Sequence, residues 1–319
     1  MSVNVPLSPK QKLRIERLKN RKGRKKPAKV PARLTRTSAF APKRRGLITD
    51  SSFRRIYVVP NHSIVQVVGR ELGSQHRDAL YALLRLPSKP VKVMGEGFLG
   101  YSYLLEVRTT WRELVRCLNL TEHANNVANL VLTFEELMQV VMTVYESREM
   151  SQEKILEKLR EGGTPDTALK MRHILHSVDA EGVNLDSKVT VVFGEWMVES
   201  MTSLKLVSLN AEVQFALKSD YAKSFWPYID SFTKHTFVDE EVLCALVGRE
   251  LFGPTETSAT RRDFRNYCRH AFNDMVRVGG LFEWREEIRG IGREKTRRYH
   301  YRLAYPQQME LGLNTCDTV

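Results

Sequence analysis

From residue 53 onward, apolar and polar positions alternate or recur in short blocks that predict a succession of strands and amphipathic helices. Residues 55–59 and 63–68 alternate as two strands around Pro60-Asn61. Residues 74–86 place Leu80, Leu83 and Leu84 on one helical face, with Pro87 just past the end. Residues 98–107 read as a strand and 110–118 as a short helix, with Trp111, Leu114, Val115 and Leu118 at three- and four-residue spacing. Thr121 is placed to cap a long helix reaching Tyr145, since Val127, Leu130, Val131, Phe134, Leu137, Met138 and Val141 repeat at helical period. A short helix, a tight turn and a longer helix suggest helix-turn-helix. A charged helix over 151–160 ends at Gly162-Gly163, and two β-rich runs, 171–178 and 188–198, flank a hairpin connection at 179–186.

A similar order then recurs with different residues. Residues 207–216 read as extended, 220–232 as a helix, 234–237 as a short strand and 238–248 as a helix begun by acids. A Gly/Pro-containing turn leads to a long helix over 258–278, stopped by Gly279-Gly280, and residues 282–305 form a hairpin around Gly290-Ile291-Gly292. Helix, strand, helix, turn, helix, hairpin is the order of a winged helix. The fold class expected is therefore α+β, with two tandem winged-helix (helix-turn-helix) domains behind a disordered basic arm. The boundaries are 1–46 for the arm, 47–202 for a first domain in dimerisation or DNA positioning, 203–306 for a second in DNA readout, and 307–319 for a tail.

Composition narrows what such a chain does. With 319 residues, 42% of them hydrophobic, it suffices for one large domain or two ordinary ones. No apolar run reaches the roughly 18–20 residues that span a bilayer, and the N-terminus lacks the apolar block of a secretory signal, which predicts a cytoplasmic protein with no membrane partner. Cys117, Cys244, Cys268 and Cys316 are too scattered for a disulfide framework or a metal knuckle, and are expected as reduced thiols. The net charge of +13 is concentrated: residues 1–45 hold sixteen Lys/Arg against Glu16, and residues 258–305 hold twelve against six acids. Two basic zones point to a polyanion as their common partner. The first zone, with its run Lys19 to Lys26 and prolines at 27, 31 and 42, holds too little apolar surface to offset its ordering entropy, which predicts a disordered arm. A solubilising tail, a nuclear-import signal and a ribosomal tail share that composition.

The helix over 258–278 carries the second zone. At about 100° per residue, Phe264, Cys268, Ala271, Phe272 and Met275 form an apolar stripe. Arg262, Asn266, Arg269 and Asn273 cluster opposite, flanked by Arg265, while Arg261 lies nearer the stripe but in the first turn, where a recognition helix meets base edges. Arg bonds guanine and Asn bonds adenine bidentately, and Thr260 is placed for a phosphate. In the hairpin, Arg289, Arg293, Lys295, Arg297 and Arg298 crowd the tip and second strand, as in a wing that grips phosphates or enters the minor groove. Glu286, Glu287 and Glu294 are near enough in sequence to pair with them as surface bridges. The helix alone has the composition of an ordinary solvated face, and the adjoining hairpin is what favours DNA. The earlier helix, 121–145, contains no Lys or Arg and offers only Asn125, Asn126 and Asn129 as base readers. A protein-protein or DNA-positioning role is expected there.

In these stretches the sequence resembles the TrfA-type plasmid replication initiators, which bind directly repeated origin sequences called iterons. The strongest part is the helix opened by Thr260-Arg261 and closed by Arg277-Val278-Gly279-Gly280-Leu281 with Glu283 beyond it. Residues 68–86 with the helix at 110–118, and Asp220-Tyr221-Ala222-Lys223-Ser224-Phe225-Trp226, add to it. The likeness extends over about residues 52–304 and leaves out the helix at 151–163 and the basic arm. It implies two winged-helix domains, iteron binding mainly by the second, origin melting, recruitment of the host initiator and replicative helicase, and a monomer-dimer equilibrium whose dimer represses its own gene.

An enzyme is the competing class. The sequence has no GxxxxGK[ST] phosphate loop, which disfavours a P-loop ATPase or helicase. A nicking enzyme needs a His-hydrophobe-His metal pair, and His173 and His176 are spaced for opposite faces of a strand. Glu240-Glu241, at a helix start, favours the helix dipole. No catalytic residue, metal or cofactor is therefore expected. A winged-helix transcriptional repressor would share every residue named above and is the alternative. An RNA-binding or ribosome-associated protein would explain the arm and leave the Arg262/Asn266/Arg269 face without purpose.

Overall fold

A computed structural model of the chain describes residues 27–59, 63–94, 101–146, 150–203, 206–232, 235–250, 256–292 and 295–304. A short strand, β1 (Ala28–Pro31), precedes a hairpin of β2 (Arg54–Val59) and β3 (Ser63–Val68). Then come α1 (Ser74–Leu84), β4 (Ser88–Met94), β5 (Tyr101–Thr110), α2 (Trp111–Cys117) and α3 (Ala124–Met138). β6 (Val141–Glu146), α4 (Gln152–Arg160), β7 (Leu169–His173), β8 (Leu175–Ala180), β9 (Lys188–Phe193) and α5 (Glu195–Ser203) complete the first half. Its strands form two antiparallel sheets, ordered β2-β3-β6-β7 and β4-β5-β9-β8.

The second half runs β10 (Leu206–Leu209), α6 (Ala211–Ala216), α7 (Asp220–Ser231), β11 (Phe237–Asp239), α8 (Glu240–Leu246), α9 (Ser258–Arg277), β12 (Leu281–Arg289) and β13 (Thr296–Leu303). Its sheet order, β11-β13-β12, reproduces β5-β9-β8: in each, the strand that precedes the shorter helix of a helix pair is bonded to the last strand of a hairpin. Thus Val238 lies opposite Tyr299, as Thr109 lies opposite Val189. Helix, strand, helix, helix and hairpin occur twice, the first time with β4 added at the edge and β6-α4-β7 inserted before the hairpin.

Four local expectations change, the first being the run 171–178, which splits at Ile174 into β7 and β8 of different sheets. The helix expected over 121–145 ends at Met138, capped at its start by His123 and not Thr121, and residues 141–146 form an interior strand. Val141 continues the helical period, but Thr143, Val144 and Tyr145 suit a pleated surface, and residues 142–145 are all buried there. The run 188–198 breaks into strand and helix at Gly194, where a Cβ would stand 2.1 Å from the His173 carbonyl oxygen. Residues 207–216 are extended only to Leu209, after which the Asn210 side chain accepts a hydrogen bond from Val213 N and starts α6.

The expected disordered arm is corrected over its second half. Ala28, Val30, Leu34 and Phe40 are at most 2% exposed, and β1 pairs with β10 in the register Ala28 to Leu209. Tyr81 Oη donates to the Leu34 carbonyl (3.3 Å), Arg77 Nη2 donates to that of Phe40 (3.0 Å), and the Arg36 guanidinium covers the Phe232 ring at 4.8 Å. Lys43 pairs with Glu71 and Arg44 with Asp220. Residues 28–47 are therefore a strap held by both halves. Averaging charge over 1–45 hid a minority of apolar positions and acids waiting elsewhere in the chain. The basic run within 1–26 and the tail at 307–319 lie outside the described residues.

Beneath the strap, α1 and α7 share a polar network inside a core that runs through both halves. Asp78 pairs with Lys223 and accepts from Gln214 Nε2 (3.0 Å); Arg77 Nη1 donates to Ser224 Oγ (2.7 Å); Ser74 Oγ donates to Asp220 Oδ1 (2.6 Å).

Candidate nucleic-acid interface

α9 starts with a closed capping box. Thr257 Oγ1 accepts from Thr260 N (3.1 Å), and Thr260 Oγ1 accepts from Thr257 N (2.8 Å) while bonding Glu256 Oε2 (3.0 Å). Thr260, expected as a phosphate ligand, instead closes the helix terminus with its hydroxyl. The predicted stripe is buried: Phe264, Cys268, Ala271, Phe272 and Met275 are at most 1% exposed. It packs on α7 through Phe225 and on the hairpin, where Phe272 stacks on Tyr299 at 5.1 Å. Burial pushes the Cys244 thiol up to about 12 and Cys268 well above its ordinary value, which keeps both neutral.

The opposite side of α9 faces solvent. The Arg262 side chain is 75% exposed, Asn266 and His270 are exposed, and Asn273 Oδ1 accepts from Trp284 Nε1 (2.9 Å). Arg261 is half-buried. Tyr267, which the sequence reading passed over, is 48% exposed and stacks on Tyr221 at 4.7 Å with 7° between the rings. An aromatic between Asn266 and Cys268 carries no sequence signal until the partner ring on α7 is placed.

Most of the remaining basic candidates are held by acids. Arg265 makes a two-pronged contact with Glu240 (2.6 and 3.0 Å) and donates to the Lys295 carbonyl (2.8 Å). Arg269 does the same with Glu286 (2.8 and 3.2 Å), and Arg297 Nε stands 2.7 Å from that carboxylate. Arg298 grips Asp239 (2.7 and 2.9 Å) and covers the Phe237 ring at 3.8 Å. Hydrogen bonds donated to their partner carboxylates hold Arg265, Arg269 and Arg298 above the ordinary arginine pKa. Glu240, expected to serve the helix dipole, is fully buried and ties α8 to both α9 and β13, also accepting from Arg297 N (2.9 Å). Arg289 and Lys295 are exposed at the hairpin end; Arg293 lies outside the described residues. Arg262, whose Nε lies 3.7 Å from the exposed Asp263, Arg289 and Lys295 are thus the exposed cations among the described candidates.

The corresponding helix of the first half, α3, exposes Asn125, Asn129, Leu132 and Glu135, while Asn126 Nδ2 donates to the Thr121 carbonyl (2.8 Å). A cleft of about 210 Å³ lies between α3 and the β8–β9 hairpin, lined by Trp111, Val131, Phe134, Met138 and Val178 among others. The arginines of α2 are occupied, Arg112 by Asp186 and Glu122 and Arg116 by Glu122. His173 and His176 lie on separate strands. Among the described residues no three His, Cys, Asp or Glu side chains gather as a metal site, and no helix is long and apolar enough to cross a membrane.

No family model matches the sequence, and no curated protein does. Solved structures do. A crystal structure of domains 2 and 3 of RctB superposes with a TM-score of 0.51 at 8% identity, covering 86% of this chain and 98% of that one. The fold is shared with RctB domains 2 and 3. A second crystal structure, RctB residues 155–483, gives a TM-score of 0.47 at 9% identity over 83% of this chain and 95% of that one. The Pi initiator protein in complex with iteron DNA gives 0.47 at 12% identity over 72% of this chain and 90% of that one.

Proposed function

We propose that the chain is a sequence-specific double-stranded DNA-binding protein whose two repeated units are tandem winged-helix domains, and that it initiates replication by binding repeated origin DNA. The carrying observation is the solvent-facing Arg262 and Asn266 on a capped 20-residue helix, set beside a hairpin whose end exposes Arg289 and Lys295. A helix of that kind reads base edges in the major groove while the hairpin holds backbone phosphates. The first unit positions DNA or contacts proteins, and the initiator role follows the resemblance to TrfA-type proteins. Host initiator and helicase recruitment, a monomer-dimer equilibrium and repression of its own gene belong to the same reading. The protein works by binding and deforming DNA, with no bond made or broken by its own side chains and no cofactor.

Footprinting on the DNA flanking the gene tests binding, and plasmid replication supplied with the protein tests the role. Protection of direct repeats, together with reactive single-stranded thymines and intact strands on supercoiled DNA, is the expected result. A single protected palindrome with no replication would make the protein a repressor. A site-specific nick with protein attached would make it an enzyme. Arg262→Ala and Asn266→Ala should each cost about 1–3 kcal/mol of base discrimination.

A further inference from the structure

Glu286 stands at the centre of a relay between hairpin and recognition helix. Its carboxylate, only 16% exposed on β12, accepts two hydrogen bonds from Arg269 and faces Arg297. Arg269 Nη1 in turn donates to Asn266 Oδ1 at 3.0 Å. A carboxylate accepting both prongs of a guanidinium fixes its plane as well as its place. The guanidinium then dictates which end of the Asn266 amide turns inward. With Oδ1 toward Arg269, the amide NH₂ lies on the other side, and Oδ1 keeps one lone pair for a second donor.

That orientation matters for base reading. Asparagine recognises adenine by donating to N7 and accepting from the N6 amino group, which requires a defined amide orientation. The same carboxylate engages Arg269, whose side chain is 40% exposed and would otherwise be available to any phosphate. We propose that Glu286 is a positioning residue for sequence readout: through Arg269 it orients Asn266 for adenine, and it withholds Arg269 from indiscriminate phosphate contacts. The inference rests on the DNA-reading function proposed above.

The test uses the full chain and a duplex that the wild-type protein selects from a randomised library. Glu286→Gln keeps shape and removes the charge. The selected-to-random affinity ratio should fall about 5- to 150-fold, the range for one bidentate base contact. Affinity for random duplex should rise, with a log-log salt slope steeper by up to roughly 0.9 as Arg269 is released to a phosphate. Replacing the contacted adenine by 7-deazaadenine should weaken wild-type binding and leave Glu286→Gln unaffected. Arg269→Lys keeps the charge but not the fork, so it should lower the ratio with the slope unchanged. A residue that merely held the hairpin in place would lower both affinities together, and thermal unfolding of each variant reports that case. A selective wild type with an unchanged ratio and slope in Glu286→Gln, or with no adenine sensitive to 7-deaza substitution, would overturn the relay and leave the proposed function standing. A wild type that selects no sequence would remove both.

Discussion

Asp78→Ala should be among the most damaging single substitutions far from the proposed DNA-reading face. Lys223 is 4% exposed and meets Asp78 across the boundary between α1 and α7, with the fully buried Arg77 guanidinium next in sequence. Removing the carboxylate leaves a largely buried ammonium without a counter-charge, which costs about 3–5 kcal/mol. Gln214 Nε2 also loses one of its two acceptors but keeps the Lys223 carbonyl, adding at most about 1 kcal/mol. Against a typical stability of about 5–15 kcal/mol this is a large fraction. Lys223→Met should cost a similar amount, since it strands the carboxylate. Replacing both partners with apolar residues is often neutral, so Asp78→Ala combined with Lys223→Met should recover most of either loss. Urea unfolding of the four proteins at pH 7 closes the cycle. Additive losses, or a single-variant cost below about 1 kcal/mol, the range of an exposed pair, would refute the claim that this contact is buried and coupled.

Two further outcomes follow from the same packing. Phe40→Ala, in the strap and 1% exposed, should cost about 3–5 kcal/mol by urea unfolding, and a cost below about 1 kcal/mol would return residues 28–47 to the status of a loose arm. Burial lowers the pKa of His76 below its ordinary 6.5, outweighing the hydrogen bond and charge of Glu136. The folded protein therefore stays neutral there while the unfolded chain takes up a proton, and the stability present above pH 6.5 is lost as the pH falls below it. His76→Gln should flatten that loss as the pH falls below 6.5; parallel pH profiles for the two proteins would contradict it.

The second unit was legible in the sequence because its local signals agree. Residues 258–277 combine a capping Thr257, an unbroken apolar stripe and a stop at Gly279-Gly280, and the hairpin follows directly. The first unit was harder because β6-α4-β7 interrupts it, and Met138 and Val141 keep helical spacing across a helix end and a strand start. The strap escaped because its anchors are distant: Leu34 is fixed by Tyr81 and Arg44 by Asp220, and neither pairing is encoded near residue 34 or 44. The candidate site was read as a charge pattern, which places arginines on a face but says nothing of which acids they meet. Glu240 and Glu286 lie 25 and 17 positions from the arginines they hold on α9, the first brought there by α8 packing across the turn before α9 and the second by the hairpin folding back after it.

The first unit presents α3 between a helix and a hairpin much as the second presents α9, so topology alone would allow either to enter a groove. Charge separates them. α3 contains no Lys or Arg; Glu135 is exposed, Glu136 is engaged by Arg70 and His76, and the nearby Arg112 and Arg116 are held by Asp186 and Glu122. A groove is lined by phosphates, and at physiological salt an exposed carboxylate feels them within about 8 Å. A helix that exposes Glu135 and no cation of its own therefore repels the polyanion that α9 is proposed to bind. If α3 stays out of the groove, Glu135→Lys should leave both the affinity for random duplex and its salt dependence unchanged, because the new cation reaches no phosphate. If α3 lies in the groove, the variant gains a phosphate contact in place of a repulsion, and the log-log salt slope steepens by about 0.9. Filter binding of wild type and variant between 50 and 200 mM salt, roughly the range over which such slopes are resolved, distinguishes the two, and a steeper slope would overturn the assignment of DNA readout to the second unit alone.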